Sequence, residues 1–597
     1  MNDLKLDKII YIGIQLLFLS LIGFAIYTLS IPYEGILSYI NSFRPEKPYQ
    51  FFTEEYSLYF KMAVKLFIFL IIIFIIFLSF KKKLCISLIK SLLKEIRYYS
   101  FRLWDNTRSF FQSENKIHIT ILFSILLTGT ITRLMYINRS VFHDEAKTFY
   151  SFISKSWVDT ISNYYTPNNH VLHSILSRVF YVLLGNEEWV FRLPVFIFGI
   201  FTIIFIYIFS RRFYNRHVAL IVSAISTNAI SLVFYSVNAR GYIIITFFFL
   251  ILLCIIKSNK EKDSALLWII FIIISSLGMW TIPTMSMPII LLFIWYIANS
   301  TRTQLLSNVL ILSLVGLACL LLSIIFYGPV IIRCTIGSII SNEYVQSQNL
   351  GAIISNIPNL FIQLWILFTS GYSYVARIII LLFVLAGLFY HYSYKAHRKL
   401  LITIPLFLVI VFFVLKRLPY DRTLLFIYPI VAVIVGSGIF SLCRFISVRF
   451  KTNMDLTVNL VSIFFFLTST KICLGQGGII ENYRVLTCPQ AEKIIIDIKK
   501  SLRPNDIIET STPLAGPIRY YILKNKIDEK QFYWHSWGKD KSSLLNYDNI
   551  YVITREDRNS LKSFGYTTKS SIEGYTPPEI WKEYDDTVKL YVIRRFL

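Results

Sequence analysis

The sequence predicts an all-α polytopic membrane protein with about 13 transmembrane helices, followed by a small extramembrane α/β domain at the C-terminus. Three observations lead to this fold class. The chain of 597 residues is 55% hydrophobic and only 16% charged, whereas about a quarter of the residues in a soluble protein are charged. Apolar runs long enough to cross a bilayer recur up to residue 472. Beyond that point, charged residues return together with short strand-like runs.

The apolar runs give the predicted spans in chain order. They lie at 9–31, 60–80, 118–137, 189–210, 218–237, 243–256, 265–282, 284–298, 304–327, 376–392, 400–416, 423–442 and 455–471. The first run is too long for the core of a signal peptide and has no small-residue cleavage site, so we expect it to remain as a span. An odd number of crossings predicts that the two ends of the chain lie on opposite sides of the membrane.

The basic segment 81–116 sets the predicted orientation. It contains nine Lys and Arg residues against three acids, and cytoplasmic loops are enriched in Lys and Arg. We therefore expect this segment and the N-terminus inside, and loop 138–188 and the C-terminal domain outside. Apolar and basic residues recur at helical spacing over 84–103, which predicts a helix on the inner membrane surface. Such segments account for the net charge of +25, so we expect no nucleic-acid partner.

The stretch HVLHSILSRVFYVLL (170–184) is apolar but does not fit as another crossing. The basic residues that follow the next span must also lie inside, which leaves room for one crossing only. The polar residues of the stretch share one helical face, and they are His170, His173, Ser174, Ser177, Arg178 and Tyr181. We expect an amphipathic helix at the outer membrane surface.

The region after residue 472 predicts the α/β domain. The runs DNIYVIT (548–554) and KLYVIRRF (589–596) are typical of strands, and turn formers cluster at 503–506 and 576–578. The seven cysteines are scattered and lack metal-ligand spacing. Cys473 and Cys488 would share the outer side, where they either form a disulfide or stay unpaired.

Asp144 and Glu145, in FHDEAKTFY (142–150), directly follow an apolar run. A carboxylate this close to the hydrocarbon is costly unless it faces water or a polar cavity, so such acids indicate a functional site. The alternative is that one of them only caps the helix that begins near Ala146.

Cations on the predicted outer side are the second unusual feature, because positive residues are normally sparse there. They are Arg240, Lys416, Arg417 and Arg422. Guanidinium groups match phosphate oxygens bidentately, so a lipid phosphate is a suitable partner. The alternative is that these residues anchor the protein at the lipid headgroups. An acid that accepts a proton, opposite cations that neutralise a leaving phosphate, is what sugar transfer from a lipid carrier requires.

These residues resemble the GT-C superfamily of integral-membrane glycosyltransferases, in particular its protein O-mannosyltransferase and aminoarabinose transferase branch. The resemblance runs through HDEAKTFY (143–150), TPNNHVLHSILSR (166–178), EWVFRLPVFIFGIFTIIFIYIFSRRF (188–213), FYSVNARGY (234–242) and YDRTLLFIYP (420–429). It covers about 118–472, which would be the catalytic transmembrane core, and the family has precedent for an external accessory domain such as 473–597. The two predicted N-terminal spans and the basic surface helix (1–117) precede the region of resemblance. The resemblance also favours a bacterial plasma membrane.

The resemblance implies roles for individual residues. Asp144 matches the catalytic acid, and Glu145 is a second acid that assists it or holds a divalent metal, whose presence the sequence does not decide. Arg240 and Arg422 would hold the donor phosphate, with Lys416 and Arg417 beside them. The other positions would line the cavity and meet the acceptor, and they are Asn169, His170, His173, Arg178 and Tyr242. Many members carry an acid shortly after position 240, whereas Gly241 follows here, which weakens the case for a two-site metal centre.

The implied activity is inverting transfer of a sugar from a polyprenyl-phosphate-linked donor to a glycan, lipid or protein acceptor at the outer face, with Asp144 as the base. A flippase or transporter of lipid-linked sugars would use similar intramembrane charges, although it would more often show paired halves with broken helices at matching positions. A polysaccharide polymerase or ligase has a similar hydrophobicity profile, and a non-catalytic scaffold is the third alternative.

Overall fold

The computed structural model describes residues 3–42, 81–340, 349–414, 416, 419–475, 488–534, 546–555, 561–564, 566, 575–584 and 587–596, with scattered positions between 57 and 80. Within these residues, nine helices are long and apolar enough to cross a membrane, or ten if the bent pair Arg216–Ser226 and Ile230–Ser236 is one span. The chain is therefore a multi-pass membrane protein. The predicted span at 60–80 lies largely outside the described residues.

The helices are named here in chain order. The first group is α1 (Asp3–Ser30), α2 (Tyr33–Ser42), α3 (Lys82–Ser113), α4 (Lys116–Tyr136), α5 (His143–Thr148), α6 (Trp157–Ser162), α7 (Val171–Leu184) and α8 (Glu188–Phe213). The second is α9 (Arg216–Ser226), α10 (Ile230–Ser236), α11 (Tyr242–Glu261), α12 (Ala265–Thr281), α13 (Ser286–Ala298), α14 (Leu305–Phe326), α15 (Gly328–Cys334) and α16 (Gly337–Ile340). The third is α17 (Leu350–Thr369), α18 (Tyr374–Ser393), α19 (Lys395–Val409), α20 (Tyr428–Phe450) and α21 (Met454–Leu474).

The predicted number of spans is not confirmed. The predicted spans at 265–282, 284–298 and 400–416 fall on apolar helices of fewer than 18 residues. The prediction also lacks α17, which does pass as a candidate span, because Asn356, Pro358 and Gln363 interrupt its apolar run. The predicted helices at 84–103 and 170–184 are confirmed as α3 and α7.

Asn or Ser stands before several helices, and its side-chain oxygen accepts a hydrogen bond from a backbone N–H of the first turn, which satisfies a donor that the helix leaves unpaired. The capping residues are Asn115, Ser156, Asn215, Ser264, Asn349, Ser373 and Asn453. These seven helix starts are therefore specified locally by the sequence.

Helices α18 and α20 approach each other closely at two glycines. A Cβ atom at Gly387 would overlap the carbonyl oxygen of Ile434, and one at Gly438 would overlap the carbonyl oxygen of Phe383. Small residues let transmembrane helix backbones meet in this way.

We predict that Gly387→Ala lowers the midpoint of thermal unfolding, because backbone atoms on α20 cannot move aside as a flexible side chain would. Gly316→Ala is the matched control, since its added Cβ would lie 3.4 Å from Phe293, and equal midpoints for the two variants would contradict the prediction.

A charged network ties four helices together at one end of the bundle. Glu114, after α3, contacts Arg211 near the end of α8 at 2.6 Å. Asp455 of α21 contacts Arg216 at 2.9 Å and His217 at 2.6 Å, both in α9. Since α8 has 26 residues, it extends about 39 Å, so this network lies at the opposite end of the bundle from Glu188.

The C-terminal domain is a five-stranded mixed sheet with helices. Its elements are α22 (Ala491–Lys499), β1 (Ile507–Thr510), α23 (Ala515–Lys524), β2 (Phe532–Trp534), β3 (Asn549–Arg555), β4 (Glu579–Glu583) and β5 (Val588–Arg594). The strand order is β2-β1-β3-β5-β4, parallel between β2, β1 and β3 and antiparallel between β3, β5 and β4. The predicted α/β domain and both predicted strands are confirmed.

Alternate residues of the sheet enter two different cores, as the period of two in a strand requires. Ile508, Tyr551 and Leu590 pack with α22 and α23, while Ile507, Val552 and Tyr591 form a separate cluster on the other face. The first of these cores also contains residues of loop 138–188, so the domain and this loop lie on the same side of the helical bundle. Cys473 and Cys488 are both buried thiols and are not joined in a disulfide.

Candidate functional site

The two acids of the motif lie in α5, a helix of only six residues. Glu145 accepts a hydrogen bond from the backbone N–H of Phe142 at 3.0 Å, which caps the start of this helix. The capping alternative from the sequence therefore applies to Glu145. Asp144 lies one position earlier, and its side chain remains 43% exposed.

Glu145 forms a buried ion pair with Arg192 of α8. The Arg192 Nε donates to Oε1 at 2.9 Å and Nη2 to Oε2 at 2.8 Å, and neither side chain is exposed. The Ala239 N–H also donates to this carboxylate. Both carboxylate oxygens are thus used within the protein, so Glu145 holds α5 in place and does not face the cavity. The role of Glu145 in assisting catalysis or holding a metal stays a prediction, and this arrangement gives it no support.

Asp144 faces two guanidinium groups from distant parts of the chain. Its Oδ2 lies 3.9 Å from Nη2 of Arg240 and 3.7 Å from Nη1 of Arg422. Burial raises the pKa of Asp144, but Arg240, Arg422, His143 and Lys147 together lower it by more, so the net pKa lies below its ordinary value of 3.8. The carboxylate is therefore ionised at neutral pH.

Arg240 is held by Asn168, a residue of loop 138–188. Its Nη1 donates to the backbone oxygen of Asn168 at 3.0 Å and also to the Asn168 side chain. Its Nη2 lies 3.5 Å from the Tyr242 hydroxyl, while its buried Nε has no hydrogen-bond partner among the described residues. The guanidinium is fixed on one side and retains a donor that an anion could use.

Within loop 138–188, Asn168 and His170 contact Arg240 and Gly241, and Asn169 holds the loop itself together. Asn168 donates to the carbonyl of Asp144 at 3.1 Å, and Asn169 donates to Thr160 and Asn163 backbone oxygens at 3.0 and 2.8 Å. The His170 Nδ1 accepts the Gly241 N–H at 2.6 Å. Burial, followed by Arg240, lowers the pKa of His170 well below its ordinary value, so this ring is neutral with its proton on Nε2.

His173 and Arg178, which were both predicted to line the cavity, contact other residues of α7 and of the segments beside it. His173 is fully buried, with Nε2 3.2 Å from the Ser177 hydroxyl. Arg178 donates to the Ile153 carbonyl at 2.6 Å and lies over Trp157 at 4.9 Å. The polar stripe of α7 thus faces the protein, whereas Val182 and Leu183 are exposed. These contacts place His173 and Arg178 in the packing of α7, and their cavity role stays a prediction.

The remaining predicted residues lie around Tyr242 and at 416–417. Tyr242 packs edge-on against His170, with ring centroids 5.1 Å apart. Lys416 is exposed, in a left-handed backbone conformation with φ of 51°, and Arg417 lies outside the described residues. Within the described part of the chain, no group of three or more His, Cys, Asp and Glu side chains is arranged to hold a metal ion.

Two residues of the site were not predicted. Lys147 follows Asp144 by three positions in α5, and burial lowers its pKa below the ordinary value although Asp144 acts in the opposite direction. The i, i+3 spacing of an acid and a lysine is the signal in the sequence. Arg192 lies in the quoted stretch EWVFRLP, but its partner Glu145 is 47 positions away. Nothing local in the sequence identifies such a pair.

The arrangement therefore combines an ionised, partly exposed carboxylate with three cations, Arg240, Arg422 and Lys147. Such a site can bind an anion through the cations. It can also place a base beside a nucleophile that approaches that anion.

Comparisons with known proteins identify a family and solved structures that this chain resembles. Residues 169–327 match the family described as dolichyl-phosphate-mannose-protein mannosyltransferase. The structure is similar to ArnT from Cupriavidus metallidurans, both apo and bound to undecaprenyl phosphate, with a TM-score of 0.55 and 12% identity over 79% of this chain and 97% of ArnT. The oligosaccharyltransferase of Archaeoglobus fulgidus, solved with zinc and sulfate, gives a TM-score of 0.45 and 12% identity over 72% of this chain and 67% of that one. No curated protein matches the sequence.

Proposed function

We propose that this chain, which has the fold of the GT-C membrane glycosyltransferases, transfers a sugar from a polyprenyl-phosphate-linked donor. The acceptor would be a hydroxyl or amide group of a glycan, lipid or protein. Transfer would take place on the side of the membrane that carries loop 138–188 and the C-terminal domain, which we take to be the outer side. The observation that carries the proposal is the position of Asp144 between Arg240 and Arg422.

The distances in this cluster support an anion site. Asp144 lies 3.7 and 3.9 Å from the two guanidinium groups, which is longer than a direct hydrogen bond between charged groups. The arginines are therefore near the carboxylate without being saturated by it. The Arg422 side chain is 36% exposed, and the Arg240 Nε has no partner among the described residues. A donor phosphate would supply the missing acceptors.

In the proposed reaction, the acceptor oxygen or nitrogen attacks the anomeric carbon of the donor sugar. Asp144 takes the proton from the acceptor, and the bond between the anomeric carbon and the phosphate oxygen breaks. The electron pair of that bond stays on polyprenyl phosphate, whose charge Arg240 and Arg422 neutralise. Attack opposite the leaving group inverts the anomeric configuration. No metal is required for this balance of atoms and charges.

Donor binding would also activate the base. In the unliganded site, Arg240 and Arg422 lower the pKa of Asp144, which makes the carboxylate a weak base. A phosphate that binds the same arginines brings negative charge close to Asp144 and raises its pKa. The base would thus become effective when the donor is present.

The test is transfer of radiolabelled sugar from a panel of polyprenyl-phosphate donors by the purified full-length protein in liposomes. Donor-dependent formation of a glycosylated product would support the proposal. The alternative function is translocation of the lipid-linked sugar, followed in the same liposomes by accessibility of the headgroup to an added enzyme. Translocation without product from any donor would overturn the proposal in favour of a flippase.

Arg422 provides a prediction about the donor. We expect Arg422→Ala to raise the KM for the donor by about 10- to 100-fold, because a hydrogen bond to a charged group contributes about 1.5–3 kcal/mol. Arg422→Lys should recover part of the loss, since it restores the charge but not the bidentate geometry. Arg444→Ala is the control, because Arg444 lies near the other end of the candidate span Asp421–Phe450 that contains Arg422. A donor KM that is unchanged in Arg422→Ala would remove this residue from the donor site.

A further inference from the structure

The helix that carries Asp144 cannot hold its position by itself. Helix α5 has six residues, whereas isolated helices shorter than about 12 residues are marginal in water. On the membrane side it is held by the pair of Glu145 with Arg192. Its opposite side is covered by the C-terminal domain, whose helix α23 packs directly against it.

One close contact involves Gly516 in the first turn of α23. A Cβ atom at this position would lie 2.7 Å from Nδ1 and 2.9 Å from Cα of His143. Real Cβ atoms do not approach a backbone carbon so closely, so any other residue would force α23 and α5 apart. His143 is the residue immediately before Asp144. Because Gly516 has no side chain, the C-terminal domain can lie this close to the helix that carries Asp144.

Aromatic contacts extend this interface on both sides of Gly516. The ring of Trp534, at the end of β2, meets the His143 ring edge-on with centroids 5.5 Å apart. The guanidinium of Arg519 lies 4.1 Å from the ring centre of Tyr150. Tyr520 packs edge-on against Phe149 at 4.9 Å. The domain thus contacts residues just before and just after Asp144 in the chain.

Polar contacts fix the same domain to both ends of loop 138–188. The Ser140 hydroxyl donates to the Cys488 carbonyl at 2.8 Å, and the Tyr520 hydroxyl donates to the Asn186 carbonyl at 2.7 Å. Lys524 contacts Glu188 at 3.0 Å and Glu492 of its own domain at 3.1 Å. Because Lys524 bridges acids from both parts of the chain, the domain is joined to the bundle by specific contacts and shared apolar packing.

We propose that the C-terminal domain is a positioning element of the transferase site, and that Gly516 and Trp534 hold α5 so that Asp144 faces Arg240 and Arg422. The proposal rests on the proposed function for its kinetic consequences, but the positioning itself is a structural property. Neither residue is proposed to touch the reacting atoms. They act through His143, and a displacement of about 1 Å at a catalytic group can reduce turnover by about 100-fold.

The test compares Gly516→Val with the control Lys493→Ala, which changes an exposed residue of α22 in the same domain. We expect Gly516→Val to lower kcat for sugar transfer by about 100-fold while the KM for the donor stays within about twofold, because the arginines are not on α5. Amide hydrogen exchange in residues 143–150 should become faster in this variant and stay unchanged in the control. Unchanged kcat and unchanged exchange in a folded Gly516→Val protein would overturn the proposal.

A second pair of variants keeps the proposal testable if Gly516→Val does not fold. Trp534→Phe retains an aromatic ring against His143 and should keep the exchange rate and kcat of the wild type, whereas Trp534→Ala should change both. Equal behaviour of the two variants would contradict a positioning role for Trp534. If the wild type transfers sugar from no donor, the proposed function fails, but the exchange rates still decide whether the domain orders α5.

Discussion

Replacement of Asp144 by Asn is expected to reduce sugar transfer by about 100- to 10,000-fold, the usual contribution of a general base. Asn has the same shape but cannot accept the proton of the acceptor. Folding should be retained, because the Asp144 side chain is 43% exposed and its arginine contacts are long, at 3.7 and 3.9 Å. The measurement is initial transfer rate at saturating donor, together with the midpoint of thermal unfolding for both proteins.

The pH profile gives a further check on the role of Asp144. Because Arg240 and Arg422, together with His143 and Lys147, outweigh burial and keep the pKa of Asp144 below 3.8 in the free site, the carboxylate is lost only as pH falls through that low value. We therefore expect kcat/KM, which reports the free enzyme, to show no acidic limb from Asp144 above pH 3.8. The acidic limb of kcat should lie at higher pH, since donor phosphate shares the arginines. Identical limbs in the two profiles would argue against donor-coupled activation.

Replacement of Glu145 by Ala is expected to destabilise the folded protein by about 3–5 kcal/mol, because it leaves the buried Arg192 charge without its partner. Arg192 also donates to the backbone oxygens of Ile137 and Arg139 at 2.8 and 2.6 Å. Loss of Glu145 would therefore loosen the segment that leads from α4 into α5. Thermal unfolding of the purified variant, measured in the same detergent as the wild type, checks this expectation.

Replacement of Asp144 and replacement of Glu145 should thus have different effects on the protein. Asp144→Asn should lose turnover at normal stability, and Glu145→Ala should lose stability first. Glu145→Gln provides the comparison, because it preserves the shape and one acceptor oxygen while removing the charge. A Glu145→Ala protein with wild-type unfolding and strongly reduced turnover would instead restore the catalytic role that the sequence implied.

The membrane architecture and the position of the acid pair could be read from the sequence because their signals are local. Long apolar runs, Asn and Ser helix caps and alternating strands each depend on a few neighbouring residues. The helix at 170–184 was predicted for the same reason. The sequence does not predict which way the polar face of this helix points, because burial of Ser174 and Ser177 depends on what packs against α7.

From the amino-acid sequence alone we predict that this protein crosses the membrane many times, that Asp144 and Glu145 follow an apolar helix, and that an α/β domain follows the membrane region. The three-dimensional arrangement was needed to show that Asp144 faces Arg240 and Arg422 while Glu145 is neutralised by Arg192. It alone placed the C-terminal domain on the helix that carries Asp144. The physical reason is that charges and packing surfaces choose partners by distance in space, and those distances are set by contacts among residues far apart in the chain.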